Sequence, residues 1–375
     1  MLLDYTQQTF LLLVRAGLWE DIKDNGERLA ATVFPLNFSA SIDWHKVYKI
    51  ADEQSVLGLI TAGLEQVKEL NIPSEEVLQF IGQSLQIEQQ NIAMNKFVAK
   101  LIGNLRKNDI YTLLVKGAGI AQCYNKPLWR ICGDVDLLLS DTNYQKAKTV
   151  LSPLSICSIP ERNYSKELGL TIDSYLVELH GSLRTGLSSR VDIVVDNVQK
   201  DVFYGGSVRS WNNGGTSVFL PAPDNDVFFI FTHFIKHFYK EGMCLRQVCD
   251  WCRLLWIYRN QIDAAKLNKW VEKSGLMCEW KAFAVLAVEY LGMPKEAMPF
   301  YDIRRQNDEV RSKKLVEFIL KGYTGNTVKD TYQIAKIFPW KVFLYSPSIF
   351  LNVNWLKIKE RLFKNEGMAG GQILS

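Results

Sequence analysis

Leu113-Leu114-Val115-Lys116-Gly117-Ala118-Gly119, followed by Gly133-Asp134-Val135-Asp136-Leu137-Leu138-Leu139, is the stretch that decides the fold. The first run reads as a short strand (Ile110 to Val115) that enters a glycine turn and then a small helix, Ala118 to Tyr124. The second reads as a strand from Asp134 to Leu139. Side chains two apart on a strand share a face, so Asp134, Asp136 and Leu138 point one way, while Val135, Leu137 and Leu139 form a buried apolar side. Two carboxylates side by side repel unless water or a cation lies between them. Hard oxygen ligands at this spacing suit Mg²⁺, or Mn²⁺, with phosphate and water completing the shell.

A third carboxylate is expected from a neighbouring strand. In Tyr175-Leu176-Val177-Glu178-Leu179-His180, inside a strand predicted over Ser174 to Leu183, Glu178 and His180 face away from the apolar side. Asp192, in a Val191–Val195 run that also reads as a strand, is the rival to Glu178. The Lys116-Gly117 turn offers free backbone N–H groups and a point charge to phosphate, and Arg130 adds a guanidinium fork. Gly133, which opens the acid strand, is expected with them at the nucleotide phosphates. A dinucleotide-binding reading of Gly117-x-Gly119 fails because the third glycine is missing and the acids open their strand instead of closing it.

Outward from this centre the pattern turns helical on both sides. Apolar stripes run over Phe10 to Leu18, from Val47 to Leu64 after a start at Ser41-Ile42-Asp43-Trp44, and over about Val77 to Leu105 after a Ser74 cap. Asn212-Asn213-Gly214-Gly215 reads as a hairpin turn. Beyond Asp224, helices are predicted over Phe228 to Tyr239, Leu245 to Tyr258, Ala264 to Ser274 and Cys278 to Leu291. The expected class is α+β: a small mixed-sheet core over 106–222, between an N-terminal helical region, 1–105, and a C-terminal one, 223–375.

Composition sets limits on partners. With 375 residues, 47% of them hydrophobic and 22% charged, the chain can bury a sizeable core and is not disordered. A net charge of +4 permits a phosphate-bearing substrate without announcing a basic stripe, so no long nucleic acid is expected. No apolar run is long enough to span a membrane. The closest, Phe338 to Ile358, is broken by Lys341, Pro347 and Asn352 and reads as a buried helix-turn-helix. Seven cysteines in no regular framework, with no signal peptide ahead, point to a cytoplasmic chain with reduced thiols.

Other spacings have plainer readings. Cys244, Cys249 and Cys252, with Cys278, match an iron–sulfur spacing, yet Leu245, Val248, Cys249, Cys252 and Leu255 form one helical core stripe. His233 and His237 are four apart, as zinc-binding pairs are, but no third ligand is evident and they read as core or pocket residues. Arg246 and Asp250 are spaced for a helical ion pair, with Arg246 also placed to face substrate. The charge run from Arg304 to Lys314 reads as a solvated helix face.

Taken together, residues 113–117, Arg130, 133–139 and 177–180 resemble the uncharacterised bacterial nucleotidyltransferase family of the polymerase-beta-like superfamily. Ile42-Asp43-Trp44 and residues 245–251 extend the similarity over about 40–260. The resemblance implies that Gly117 is the glycine of a phosphate turn, that Asp134 and Asp136 are metal-binding carboxylates with Glu178 as the third, and that Glu178 deprotonates or positions the acceptor hydroxyl. Ala118 stands where the superfamily usually has serine, and Glu178 where it usually has aspartate. The implied reaction is Mg²⁺-dependent transfer of a nucleotidyl group from an NTP to an unknown acceptor (small molecule, sugar or protein), with release of pyrophosphate. A catalytically silent nucleotide-binding or regulatory module on the same fold is the alternative. His180 would then stand beside Glu178 as a supporting residue.

Overall fold

The computed structural model describes residues 3–20, 42–67, 70–206, 208–302, 306–322 and 327–345. Helix α1 (Tyr5–Leu18) starts where the Asp4 carboxylate accepts from the Gln7 N–H and the Gln7 side chain returns to the Asp4 N–H. Helix α2 (Trp44–Glu53) starts at Asp43, which accepts from the Lys46 N–H. The apolar spacing from Val47 to Leu64 does not run through one helix. Ser55, at φ +56°, breaks it, and α3 (Leu57–Gln66) follows. Helix α4 (Ser74–Lys107) is 34 residues long, with Pro73 rather than Ser74 at its cap position.

After α4 the chain forms β1 (Leu113–Val115), α5 (Gly117–Ala121), β2 (Asp134–Leu138), α6 (Asp141–Leu151), β3 (Cys157–Arg162), β4 (Glu167–Ile172) and β5 (Tyr175–His180). These five strands make one mixed sheet in the order β1-β2-β5-β4-β3, with β2 and β5 parallel and the other pairs antiparallel. The β2–β5 register sets Asp136 opposite Glu178 and Leu138 opposite His180. On the other face Val135, Leu137, Leu139, Val177 and Leu179 pack with Phe97, Leu101 and Leu105 of α4 and with Tyr144 and Leu151 of α6.

The run Val191–Val195 is not a strand. It lies in α7 (Ser189–Tyr204), capped by Ser188, and Val191, Val194, Val195, Val198 and Val202 form its buried stripe. Three- and four-residue spacing onto a core outweighs the β propensity of valine here. The β3–β4 hairpin had no clear signal. Most of β3 is exposed, so it shows no alternation, and Pro160 sits within it. The hairpin of β6 (Val208–Asn213) and β7 (Thr216–Pro221) turns through Gly214 and Gly215, at φ +57° and +90°, which glycine adopts without steric cost.

The remaining elements are α8 (Pro223–Lys240), α9 (Leu245–Ile257), α10 (Ala264–Ser274), α11 (Met277–Val285) with a π-turn over Leu286–Tyr290, α12 (Gln306–Leu320), α13 (Thr327–Ile337) and α14 (Pro339–Tyr345). Phe231, Phe234, Trp251, Trp280 and Phe283 make an aromatic centre. Buried cross-bonds join the first helices to this centre. Trp19 Nε1 donates to Leu291 O (2.6 Å), Arg253 Nη1 donates to Leu18 O (2.8 Å), and Gln54 bridges Ile319 O and the Leu245 N–H. The chain is thus an α+β fold in which a small mixed sheet is flanked by helices from both ends of the sequence.

Cys249 and Cys252 lie fully buried in α9, where burial pushes both thiols up, as core residues. Of the region from Phe338 to Ile358, α14 is described, while 346–358 lies outside the described residues, as do Arg304 and Arg305. Among the described residues no helix is long and apolar enough to cross a membrane.

Candidate active site

The site begins with a strained turn. Lys116 has φ +60° and ψ −152°, a region that costs a residue with a Cβ on the order of 1–3 kcal/mol, and Gly117 follows at φ +44°. A Cβ built on Gly117 would stand 3.3 Å from the carbonyl oxygen of Asp134, so the turn rests against the first residue of β2. The Lys116 side chain runs to Asp136, with Nζ 2.7 Å from Oδ1.

Asp136 is almost fully buried. His180 Nε2 lies 2.8 Å from the same Oδ1 and 3.4 Å from Glu178 Oε2. Oδ2 of Asp136 is also buried but has no hydrogen-bond partner among the described residues. Burial alone would raise the pKa of Asp136; the charges and hydrogen bonds of Lys116 and His180 outweigh it and hold the carboxyl well below its usual range. Asp134 goes the other way, raised by the negative charge of Asp136 and by burial. Burial pulls His180 down, but its bonds to Asp136 and Glu178 dominate and raise it.

Ligand atoms of Asp136, Glu178 and His180 all lie within 4.8 Å of one another, a set able to hold a metal ion. Asp134 lines the same cavity but stands outside that compact set, whereas His180, expected as a supporting residue, is inside it. Asp192 is elsewhere. On α7 it accepts from the N–H groups of Thr185 and Gly186 and from the Tyr164 hydroxyl, fixing the loop ahead of that helix. Of the two rivals for a third carboxylate, Glu178 therefore lies beside Asp136 and Asp192 does not.

The cavity measures about 290 Å³ and is lined by residues of the sheet, α8 and α9. His233, Lys236 and His237 of α8 and Arg246 of α9 line it. Arg246 donates from Nη1 to Ile131 O (2.9 Å), while its buried Nε has no partner among the described residues. The helical pair expected between Arg246 and Asp250 is replaced by a different one. Asp250 receives Arg130, with Nη2 2.5 Å from Oδ2 and Nε 3.1 Å from Oδ1, and the Tyr124 hydroxyl at 2.7 Å. Arg130 reaches the cavity wall with its fork already engaged, so it serves the Asp250 pair instead of presenting an open phosphate fork. Gly133 is exposed, and a Cβ there would meet nothing within 4 Å. Lys236 was not singled out from spacing, although it is three residues from His233 and so shares its helix face.

The site is thus a mixed sheet with acids on one face, opposed by helices that carry cations. The family described as "Uncharacterised nucleotidyltransferase" matches residues 40–292, more than half of the sequence, and the chain belongs to that family. No curated protein matches. The crystal structure of an antigenic nucleotidyltransferase-like protein from Paracoccidioides brasiliensis is similar over 44% of this chain and 75% of that one, at 15% identity and a TM-score of 0.31. A likeness at that level adds nothing to the reading of the site.

Proposed function

We propose that this chain is a metal-dependent nucleotidyltransferase that moves a nucleotidyl group from an NTP to an acceptor, with pyrophosphate as the second product. One observation carries the reading: a single cavity is lined by Asp136, whose buried Oδ2 has no donor, and by Arg246, whose buried Nε has no acceptor, among the described residues. Buried polar atoms left unpaired cost about 1–3 kcal/mol each, so both call for a ligand. The acceptor suits a cation and the donor suits an anion. A divalent ion with a polyphosphate meets both needs.

The donor set fits Mg²⁺ or Mn²⁺, with Asp134, Asp136 and Glu178 as the oxygens that would hold it. When bound, the ion neutralises phosphate charge and polarises the α-phosphoryl group. His180 fixes the orientation of Asp136 and Glu178 by bridging them. Lys116, beside Gly117, and Arg246 face the phosphates and stabilise charge as it moves to the leaving pyrophosphate. Arg130 and Gly133 act before β2, Arg130 by anchoring the loop that delivers Asp134. An acceptor hydroxyl of a small molecule, sugar or protein attacks the α-phosphorus in line.

A second reading, a nucleotide-binding module without turnover, draws on Lys116, whose ammonium already occupies one oxygen of Asp136. Equilibrium binding of ATP, GTP, CTP and UTP with and without Mg²⁺ or Mn²⁺, together with pyrophosphate release, separates the two. Metal-dependent binding and release that are lost in Asp134→Asn and Asp136→Asn support the transferase. Binding without release across an acceptor panel supports the module, and no binding at all removes both.

A further inference from the structure

His233, His237 and Glu241 form a line along one side of α8 that the transfer reading leaves unused. His237 Nδ1 lies 3.1 Å from Glu241 Oε2, and His237 Nε2 lies 3.1 Å from His233 Nε2. The rings are nearly perpendicular, at 72°, with centroids 4.4 Å apart. Glu241 is exposed at the end of the helix, and it lines the cavity that holds Asp136 together with both histidines.

The tautomers follow from which atoms are able to donate. A carboxylate only accepts, so His237 carries its proton on Nδ1, toward Glu241. A neutral ring with Nδ1–H has its lone pair on Nε2, and that lone pair must receive the proton of His233 Nε2. His233 is therefore left with an unprotonated Nδ1. This is the arrangement of a base whose tautomer is set by a second ring and a carboxylate.

The groups around it keep His233 uncharged. Burial lowers its pKa well below the ordinary value, and the charge of Lys116 across the cavity adds to this, with smaller effects from His237 and Lys236; only Asp136 pulls the other way. The carboxylates opposite are engaged: Asp136 with Lys116 and His180, and Glu178 with His180. A transfer step still has to dispose of the acceptor's proton.

We propose that His233 is the catalytic base, which takes that proton on Nδ1, with His237 and Glu241 as positioning residues that pass it to solvent, and that the acceptor enters along α8 with a neutral hydroxyl or amine. The inference rests on the nucleotidyl-transfer reading. The acceptor's O–H or N–H bond breaks and its proton moves to His233. A bond forms from that atom to the α-phosphorus, and the bond to the β-phosphate oxygen breaks, with pyrophosphate leaving with the electron pair. The charge on His233 is relieved as Nε2–H passes to His237 and Nδ1–H of His237 passes to Glu241.

The test uses the full chain, with MgATP as the probe and water as the acceptor. Imidazole ¹⁵N NMR at pH 7 should find the proton of His237 on Nδ1 and that of His233 on Nε2; the opposite tautomer at His233 overturns the proposal. His233→Gln should lower pyrophosphate release by ~100-fold or more with MgATP affinity within about twofold of wild type. Glu241→Gln should lower it less and shift the pH profile of the rate, an effect that mere packing would not produce. Wild-type release that survives unchanged in His233→Gln, with binding intact, overturns the base assignment alone. Failure of the wild type to bind any of the four NTPs with Mg²⁺, or to release pyrophosphate from them across the acceptor panel, removes the transfer reading, and the base falls with it.

Discussion

Asp136 and Asp250 are both buried carboxylates, each paired with a cation, yet they are completed differently. Asp250 has both oxygens filled, by the Arg130 guanidinium and the Tyr124 hydroxyl. The same Arg130 holds the chain ahead of β2 in place, since its carbonyl accepts from Asn91 Nδ2 at 2.8 Å and its Nη1 donates to Ile131 O. Asp136 has one oxygen crowded by Lys116 and His180 and the other empty. A saturated pair fixes geometry, whereas an unsaturated one invites a ligand. Burial and charge alone do not separate Asp136 from Asp250; the count of satisfied oxygens does.

That contrast can be broken in four ways. Asp136→Asn should lower pyrophosphate release by about 10³-fold and abolish metal-dependent NTP binding; retention of both would make Asp136 another scaffold residue. Asp250→Ala strands the Arg130 guanidinium in the interior and should cost about 3–5 kcal/mol in urea unfolding. A loss under 1 kcal/mol there would show that the clamp carries little. Gly117→Ala places a Cβ on a left-handed residue and should cost about 1–2 kcal/mol, with the rate falling more than stability if the turn sets Asp134. Equal falls would reduce the turn to a stability element. Tyr164→Phe removes one bond to Asp192, a third buried carboxylate with a structural task, and should cost about 1 kcal/mol while pyrophosphate release stays at the wild-type rate.

The acid strand and its partner were legible because alternation is a local signal. Val135, Leu137, Val177 and Leu179 mark the apolar side, so the other side of each strand follows. The partner of Asp250 was not legible, because Arg130 is 120 residues away and spacing along α9 favoured Arg246. Proximity in a folded core outranks helical neighbourhood when desolvation makes an unpaired guanidinium costly. The Val191–Val195 run misled for the opposite reason: a valine-rich window shorter than two helical turns fits both periods, and only the later Val198 and Val202 resolve it. The β3–β4 hairpin was silent because an exposed edge strand carries no burial pattern. The inclusion of His180 in the compact ligand set depended on register, which no single strand encodes.

That register has an effect on how the chain avoids error. β2 and β5 are parallel neighbours separated by a helix and a hairpin, so no tight turn dictates their alignment. A slip of one residue would drive Glu178 and His180 into the packing against α4 and α6, and would turn Val177 and Leu179 toward the cavity. Misaligned sheets therefore carry a charged penalty that the aligned sheet alone escapes. The residues that give the cleft its chemistry also proofread its assembly.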